Sequence, residues 1–382
     1  MKQYKTDESF FGDGIFAWQF ETAEQKKAWD ERVFDKEKYW GGFPEDAGDK
    51  SAPLPDWAVG PVVKYADNPI FAPDASSWDC GRFGGGVHNG AIIQKDGLFY
   101  YIYRGEFPAD RVVFAEPTGR IWEFDYKCDI GVAVSRDGIH FERVGEPIFR
   151  HGENEKYSFE DVCCVSHDGT YYLFCNRWSW DEPKNPKVGG VYLATSTDLE
   201  HWTEHGLVFP EAERIHRNAC VLQNERNEAV QINGKFIMYM NNRLIAESED
   251  MIHWTSRDTR GYWPGGEGCF ALFRDGQIVL FTGGHHTGHF YAIGEVLFSP
   301  DAPDVPVEFL RAPVLYCETK YPYEDGYSAT EPGRPVSNWR DTIFFTGMTQ
   351  VGDELYIYYG GSEYYTCLCK AALPRPTDGK NS

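Results

Sequence analysis

The sequence lacks a run of apolar residues long enough to cross a bilayer, and its first residues, Met1-Lys2-Gln3-Tyr4-Lys5-Thr6-Asp7-Glu8, lack the apolar core of a secretory signal. No membrane partner is expected, and a cytoplasmic location is the default. A mature secreted form with its signal removed is the alternative. Positive charge is also scarce, with 37 Lys and Arg against 59 Asp and Glu, for a formal net charge of -22. Nucleic-acid binding draws its affinity from cations that neutralise phosphates, so a nucleic-acid partner is not expected. Acidity also serves solubility, which makes it a weak guide to the ligand. The ten cysteines lack zinc-site spacing, since Cys163-Cys164 and Cys367-x-Cys369 stand without a matching pair. They read as reduced, mostly buried thiols.

Aromatic and turn-forming residues are abundant. Trp, Tyr and Phe make up 16% of the 382 residues, and 39 Gly with 22 Pro supply many turns, a balance that favours short strands over long helices. One phrase occurs three times at the same spacing: Ser135-x-Asp137-Gly-x-x-Phe141, Ser196-x-Asp198-Leu-x-x-Trp202 and Ser248-x-Asp250-Met-x-x-Trp254. Each follows an apolar strand, so Ser-x-Asp reads as a hairpin turn and the aromatic residue as the start of the returning strand. A second phrase, a turn centred on Gly followed by a Tyr/Phe-rich strand, occurs five times, at Gly97, Gly169, Gly234, Gly276 and Gly352.

Two hairpins per unit give four strands, and five such units pack radially because no single blade can bury both faces. The expected fold is therefore all-β, a five-bladed β-propeller of four-stranded antiparallel blades over 67–382. A β-sandwich is the competing reading. Residues 1–66 fall outside the repeat and read as an N-terminal extension packing on the propeller, with a short helix over Glu21 to Asp35.

In a propeller the innermost strand of each blade aims its first residues at the central channel. Asn89 stands eight residues before Gly97 and Asp161 eight before Gly169, each ahead of an apolar strand, so both are placed at one mouth. The corresponding region of blade three holds Arg217, Asn218, Arg226 and Glu228, blade four holds Glu267, and blade five holds Glu331 and Glu363. Convergent carboxyls suit glycoside cleavage, in which one acid protonates the leaving oxygen while a second carboxylate activates water, or phosphate attacks instead. Trp178, Trp180, Trp263 and Tyr291 offer faces for stacking on sugar rings, although most aromatics serve blade packing. The run His285-His286-Thr287-Gly288-His289 invites a metal reading, but no carboxylate stands beside it at suitable spacing. His286 is therefore assigned to substrate or phosphate, and neither a metal nor a cofactor is called for.

The order of these phrases resembles the β-mannoside phosphorylases and mannosidases of glycoside hydrolase family 130, five-bladed propellers related in shape to families 43 and 32. The resemblance runs from Asp67-Asn68-Pro69-Ile70 through Asn89-Gly90-Ala91, the strand ending at Arg104, and Tyr157-Ser158-Phe159-Glu160-Asp161. It continues in Phe290-Tyr291-Ala292-Ile293-Gly294, Arg311-x-Pro313-Val314-Leu315 and Tyr358-Tyr359-Gly360-Gly361-Ser362-Glu363, the last similar to a phrase that ends in Asp.

The resemblance implies that Asp161 is the general acid and that Arg104, Arg217, Tyr291 and Glu363 line the sugar site. Two departures mark a divergent member. Val162-Cys163 follows the acid where the family usually has Pro-Arg, and Arg217-Asn218 replaces a Lys-Asp pair.

The expected activity is inverting cleavage of an oligosaccharide or glycoside, with Asp161 as acid and Glu267 as the preferred second carboxylate. Asn89, Arg104, Glu160, Arg177, Trp178, Arg217, Asn218, His286, Tyr291 and Glu363 are the expected substrate-binding residues. Phosphorolysis, with Arg104, Arg177, Arg217, Arg243 and His286 to hold inorganic phosphate, is one alternative. A glycan-binding propeller without catalysis is the other. A catalytic acid is expected to sit partly desolvated beside other carboxylates.

Overall fold

The computed structural model describes residues 53–74, 76–79, 86–106, 111–115, 120–124, 128–150, 157–179, 188–211, 216–261, 263, 267–286, 290–310, 313–318, 321–326, 329 and 342–373. The helix read over 21–35 lies outside the described residues, as do Trp180, Arg311 and Glu331.

The chain enters through β1 (Val62–Lys64) and then builds blade one from β2 (Val87–Lys95), β3 (Leu98–Glu106), β6 (Cys128–Ser135) and β7 (Glu142–Arg143). A separate two-stranded sheet, β4 (Arg111–Ala115) with β5 (Arg120–Phe124), is inserted between β3 and β6. Blade two is β8 (Tyr157–His167), β9 (Thr170–Ser179), β10 (Val188–Ser196) and β11 (Thr203–Leu207). Blade three is β12 (Cys220–Val221), β13 (Gln231–Ile232), β14 (Lys235–Met240), β15 (Leu244–Ser248) and β16 (Thr255–Asp258). Blade four is β17 (Glu267–Arg274), β18 (Gln277–His286), β19 (Phe290–Ser299) and β20 (Ala302–Phe309). Blade five is β21 (Ile343–Val351), β22 (Glu354–Gly361) and β23 (Tyr365–Ala372), preceded by a one-turn helix α1 (Pro322–Asp325).

Every blade is antiparallel, and β1 pairs with β23, Val63 opposite Lys370, as the outer strand of blade five. Residues 62–64 thus lie within the stretch read as an extension, yet they complete the last sheet and tie the two ends of the propeller together. The innermost strands β2, β8, β12, β17 and β21 form the ring around the axis. Between neighbouring blades the Tyr/Phe-rich strands bury the rings that made the sequence so aromatic: Phe270, Phe281 and Phe345 pack between blades four and five, and Tyr101, Tyr103 and Tyr358 between blades five and one. Burying such side chains is worth roughly 1.5–3 kcal/mol each, a gain that each blade realises only against its neighbour.

The three Ser-x-Asp phrases are the turns joining third and fourth strands. In each, the Ser hydroxyl accepts the N–H groups two and three residues on, and the Asp carboxylate accepts those of the next two residues. A histidine belongs to the phrase as well: His140, His201 and His253 each place Nδ1 within 2.8 Å of the turn Asp.

One end of the axis is stapled by the loop between β12 and β13. Asn227 donates to Met348 O of blade five at 2.6 Å, its carbonyl accepts Ser166 N of blade two at 2.8 Å, and Gln223 N donates to Ala271 O of blade four at 3.0 Å. Arg226 and Glu228 sit in this loop. An offset of eight residues from Gly234 falls on this loop and not on the inner strand of blade three. The loop separates the inner strand from the turn, and the two residues belong to the end opposite Asp161.

Candidate active site

Four of the five inner strands carry a one-residue bulge at the same depth. The register slips between His88 and Ala91 in β2, Glu160 and Cys163 in β8, Gly268 and Phe270 in β17, and Phe345 and Gly347 in β21. A bulge leaves its extra residue out of the ladder and re-aims the side chain. Asn89 and Asp161 occupy the first two bulges with φ of 49° and 48°, and Asn218, just ahead of the short β12, has φ of 53°. Asn and Asp tolerate this left-handed region better than other side chains. The sequence offset that matched Asn89 to Asp161 was reading this backbone feature.

The two residues meet. Asn89 Nδ2 donates to Asp161 Oδ1 at 2.9 Å, and Asn176 Nδ2, from β9, donates to Asp161 Oδ2 at 3.0 Å. Asn176 also donates to Asn218 Oδ1 at 2.7 Å and accepts Asn218 N at 2.8 Å, which ties blade two to blade three. Asn218's neighbour Arg217, half-buried, exchanges backbone contacts with Asn241. Both Asp161 oxygens thus accept an N–H, the arrangement that suits an ionised, acceptor-only carboxylate.

Arg104 links this array to blade one. Its guanidinium stands 2.6 Å from Glu106, 3.6 Å from Glu160 and 3.8 Å from Asp161, with Nε donating to Cys128 Sγ at 3.2 Å. Glu106 is buried. Burial alone would raise its pKa, but Arg104, then His88 and Gly86 N–H, more than offset this and hold it below the usual carboxylate value. Burial pushes the Cys128 thiol well up, with Arg104 opposing, so it is a neutral lining group. Glu160 accepts Trp178 Nε1 at 2.8 Å, and the indole lies across Gly189, where a Cβ would come within 2.4 Å of the ring.

Glu363, half-buried, reaches the same array from blade five. Burial lifts its pKa to about 7; Arg104 and His88 pull it down, and Glu106 and Asp161 push it further up. Gly360, on the strand leading to it, backs directly onto Asn89, where a Cβ would lie 2.7 Å from Oδ1.

The sequence-derived candidates therefore divide. Asn89, Arg104, Glu160, Asp161, Trp178, Asn218 and Glu363 come together. Arg177 instead stacks on Tyr157 and Tyr192, at 4.9 and 4.6 Å from the ring centroids. Tyr291 is buried against Phe344 in the core between blades four and five, and Trp263 is buried against Phe298. Glu267 begins β17 and His286 ends β18, but their side chains lie outside the described residues. Among the described residues no group of three His, Cys, Asp or Glu is placed to hold a metal ion.

Sequence reasoning missed His88, Glu106 and Asn176. The signals were present: Arg104-x-Glu106 puts two charges on one face of an otherwise apolar strand, and Asn176 precedes Arg177 at the end of another.

Fold and site together define a five-bladed propeller whose axial mouth is lined by carboxylates, amides and one buried arginine. No family model matches the chain. It is 26% identical over 321 residues to the 1,2-beta-oligomannan phosphorylase of Thermoanaerobacter sp. (strain X514), covering 79% of this chain and 94% of that protein. It also superposes with a TM-score of 0.68 on a structure from work on glycoside hydrolases, within the GH130 family of mannoside phosphorylases, that target beta-1,2 mannosidic linkages in Candida mannan. That match has 22% identity and covers 86% of this chain and 98% of that one. The beta-1,2-mannobiose phosphorylase of Listeria innocua matches with a TM-score of 0.63 at 18% identity, covering 82% and 97%. The chain is thus similar in sequence to 1,2-beta-oligomannan and beta-1,2-mannobiose phosphorylases and shares the five-bladed propeller fold of the GH130 structure, as the motif order leads one to expect.

Proposed function

We propose that the protein is a glycosidase that cleaves a β-mannosidic bond with water and inverts the anomeric carbon, with Asp161 as one of two catalytic carboxyls. The observation that carries this reading is the Asp161 carboxyl, part-exposed at the mouth and fixed by amides from two strands of two blades. The mannoside comes from the relatives, whose names specify 1,2-beta-oligomannan and beta-1,2-mannobiose. Asp161 is the proton donor in this reading, and the Asn89 and Asn176 amides hold its carboxyl in place at the mouth.

Water is favoured over phosphate by the state of the arginines. Phosphate needs two or three cations converging on it, whereas three of the four arginines named for that role are engaged by the fold, Arg104 by Glu106, Arg177 by two tyrosine rings and Arg243 by the carbonyl of Trp263. Phosphorolysis is the second reading, favoured by the phosphorylase names of the relatives.

The test is incubation with β-1,2-mannobiose, with and without inorganic phosphate, followed by NMR of the first product. Free α-mannose in the absence of phosphate is the expected outcome, and Asp161→Asn should lower kcat by roughly 10²–10⁴-fold without loss of fold. Mannose 1-phosphate formed only with phosphate would replace hydrolysis by the second reading, and absence of any cleavage would leave a binding propeller.

A further inference from the structure

We propose that Trp178 is the stacking platform for the second sugar of an oligosaccharide whose terminal unit lies at the axis beside Asp161. This rests on the glycoside-cleaving reading above and narrows its substrate to a saccharide of two or more rings, as against a glycoside with a small aglycone.

Trp178 stands apart from the other tryptophans among the described residues. Trp57, Trp78, Trp202, Trp254 and Trp263 each pack in or against one of the five hydrophobic clusters that fill the spaces between blades. Trp178 belongs to none of the five and remains half-buried. An indole with a large apolar face and one polar edge, kept out of the core at the mouth of a site, is suited to a ligand that is itself apolar on one face and polar at its rim.

The ring is also held still. Its Nε1 donates to Glu160 Oε2 at 2.8 Å, and the other Glu160 oxygen stands 3.6 Å from Arg104, which is bound in turn to the buried Glu106 at 2.6 Å. Behind the ring lies Gly189 of β10, directly opposite Trp178 in the ladder, where any Cβ would strike the six-membered ring of the indole. A ring fixed at its polar edge and backed by bare backbone has little freedom left to lose when a ligand covers its other face.

Its place relative to Asp161 sets which sugar it meets. β9 is the second strand from the axis, beside β8. Asn176, which donates to Asp161, and Trp178 lie on the same face of β9, with Asn176 opposite Glu160 and Trp178 opposite Ser158, nearer the mouth. Two residues of strand advance the chain by about 7 Å, the scale of one pyranose ring. At the far end of the axis the Asn227 loop bridges blades two, four and five, so a saccharide that reaches Asp161 ends there and its next unit points outward, past Trp178. A mannopyranose ring gathers the axial C–H groups of C3 and C5 on one face, an apolar patch that matches the indole by dispersion while the hydroxyls stay at the edge.

The experiment uses the full chain carrying Asp161→Asn, so that ligands bind without turnover, and titrates it calorimetrically with β-1,2-mannobiose and with methyl β-mannoside, which supplies only the axial unit. Mannobiose is expected to bind more tightly. Adding Trp178→Ala should weaken mannobiose binding roughly 3- to 10-fold and cut the preference for mannobiose over the methyl glycoside by a similar factor. Gly189→Ala, which pushes the ring aside without removing it, should do the same, and Trp178→Phe, which keeps an aromatic face, should retain part of the preference. With Asp161 restored, Trp178→Ala should raise KM for mannobiose more than it lowers kcat. An undiminished preference in Trp178→Ala, or equal loss on the two ligands, would overturn the platform. Should Trp178→Ala melt below the assay temperature, Trp178→Phe and Gly189→Ala carry the same comparison. A wild-type chain that neither cleaves mannobiose nor binds either ligand would sink the function along with the platform, whereas an active wild type whose preference survives Trp178→Ala would sink the platform alone.

Discussion

Glu295, on β19, carries a buried carboxyl whose Oε2 accepts Val59 N at 2.9 Å, while Oε1 has no hydrogen-bond partner among the described residues. Burial raises its pKa to about 8, with the Val59 N–H and Arg274 opposing. The raised value means that the folded protein keeps a proton that the unfolded chain gives up. The associated stability is therefore fully present below the ordinary 4.5 and is lost as pH rises to about 8. Each pH unit in that window costs about 1.4 kcal/mol, so the whole window removes about 5 kcal/mol.

The penalty falls on a particular contact. Val59 is buried beside Trp57, whose indole donates to Glu308, and the segment leads into β1, the strand that closes blade five. Releasing 53–60 would hydrate Glu295 at less cost than unfolding the propeller, and the strand closing the ring would go with it. The experiment compares wild type with Glu295→Gln, which keeps an acceptor for Val59 N and cannot ionise, at pH 5, 7 and 9. The wild-type melting temperature, or the hydrogen-exchange protection of the Val59 amide, should fall with pH more steeply than in the variant. Parallel pH dependence of both readouts in the two proteins would refute the argument.

Other expectations concern the two ends of the axis. Asn176→Ala removes a donor to Asp161 and the bridge to Asn218, and should lower kcat by about tenfold or more with KM little changed, read from steady-state kinetics on mannobiose. Asn227→Ala strips the buried donor to Met348 O and Gln223 Oε1 and should cost about 1–3 kcal/mol in denaturant unfolding, leaving kcat unaltered because the loop lies at the far end.

The architecture was legible because its turns are chemically specific. Ser135, Ser196 and Ser248 each cap a hairpin with the Asp two residues on in three successive blades, and the Gly-centred turn followed by a Tyr/Phe-rich strand marks all five. The mouth was legible for a less direct reason: the offset from a turn glycine measures depth along an inner strand, so Asn89 and Asp161 fell at equal depth before their bulges were known. In blade three the stapling loop intervenes, so of the four residues read there Arg217 and Asn218 stand at the inner strand and Arg226 and Glu228 on the loop. Tyr291 and Arg177 look alike in sequence to the aromatic and cationic residues of a sugar site. In the fold Tyr291 packs against Phe344, and Arg177 stacks on the rings of Tyr157 and Tyr192, contacts that the sequence alone does not distinguish from a sugar-site role.

What positions the chemistry is a set of departures from regular strand geometry. An unbroken ladder would point alternate side chains into the packed interface between blades, leaving none to converge on the axis at one depth. The bulges in β2 and β8, together with the left-handed Asn218 ahead of β12, turn three polar side chains out of that alternation and toward one another, while the turn between β22 and β23, left-handed at both Ser362 and Glu363, brings in a fourth from blade five. Each departure costs ladder hydrogen bonds or backbone strain, so each needs compensation nearby. The compensation is visible as the amide bonds that Asn89 and Asn176 give to Asp161 and the bonds that Ser362 gives to Thr342 O and Glu324 O. A substitution that relaxes the backbone, such as Glu363→Gly at the turn, should therefore stabilise the fold locally while removing activity. Thermal melting and mannobiose turnover measured on one preparation test that trade, and a variant that loses activity and stability together would argue against it.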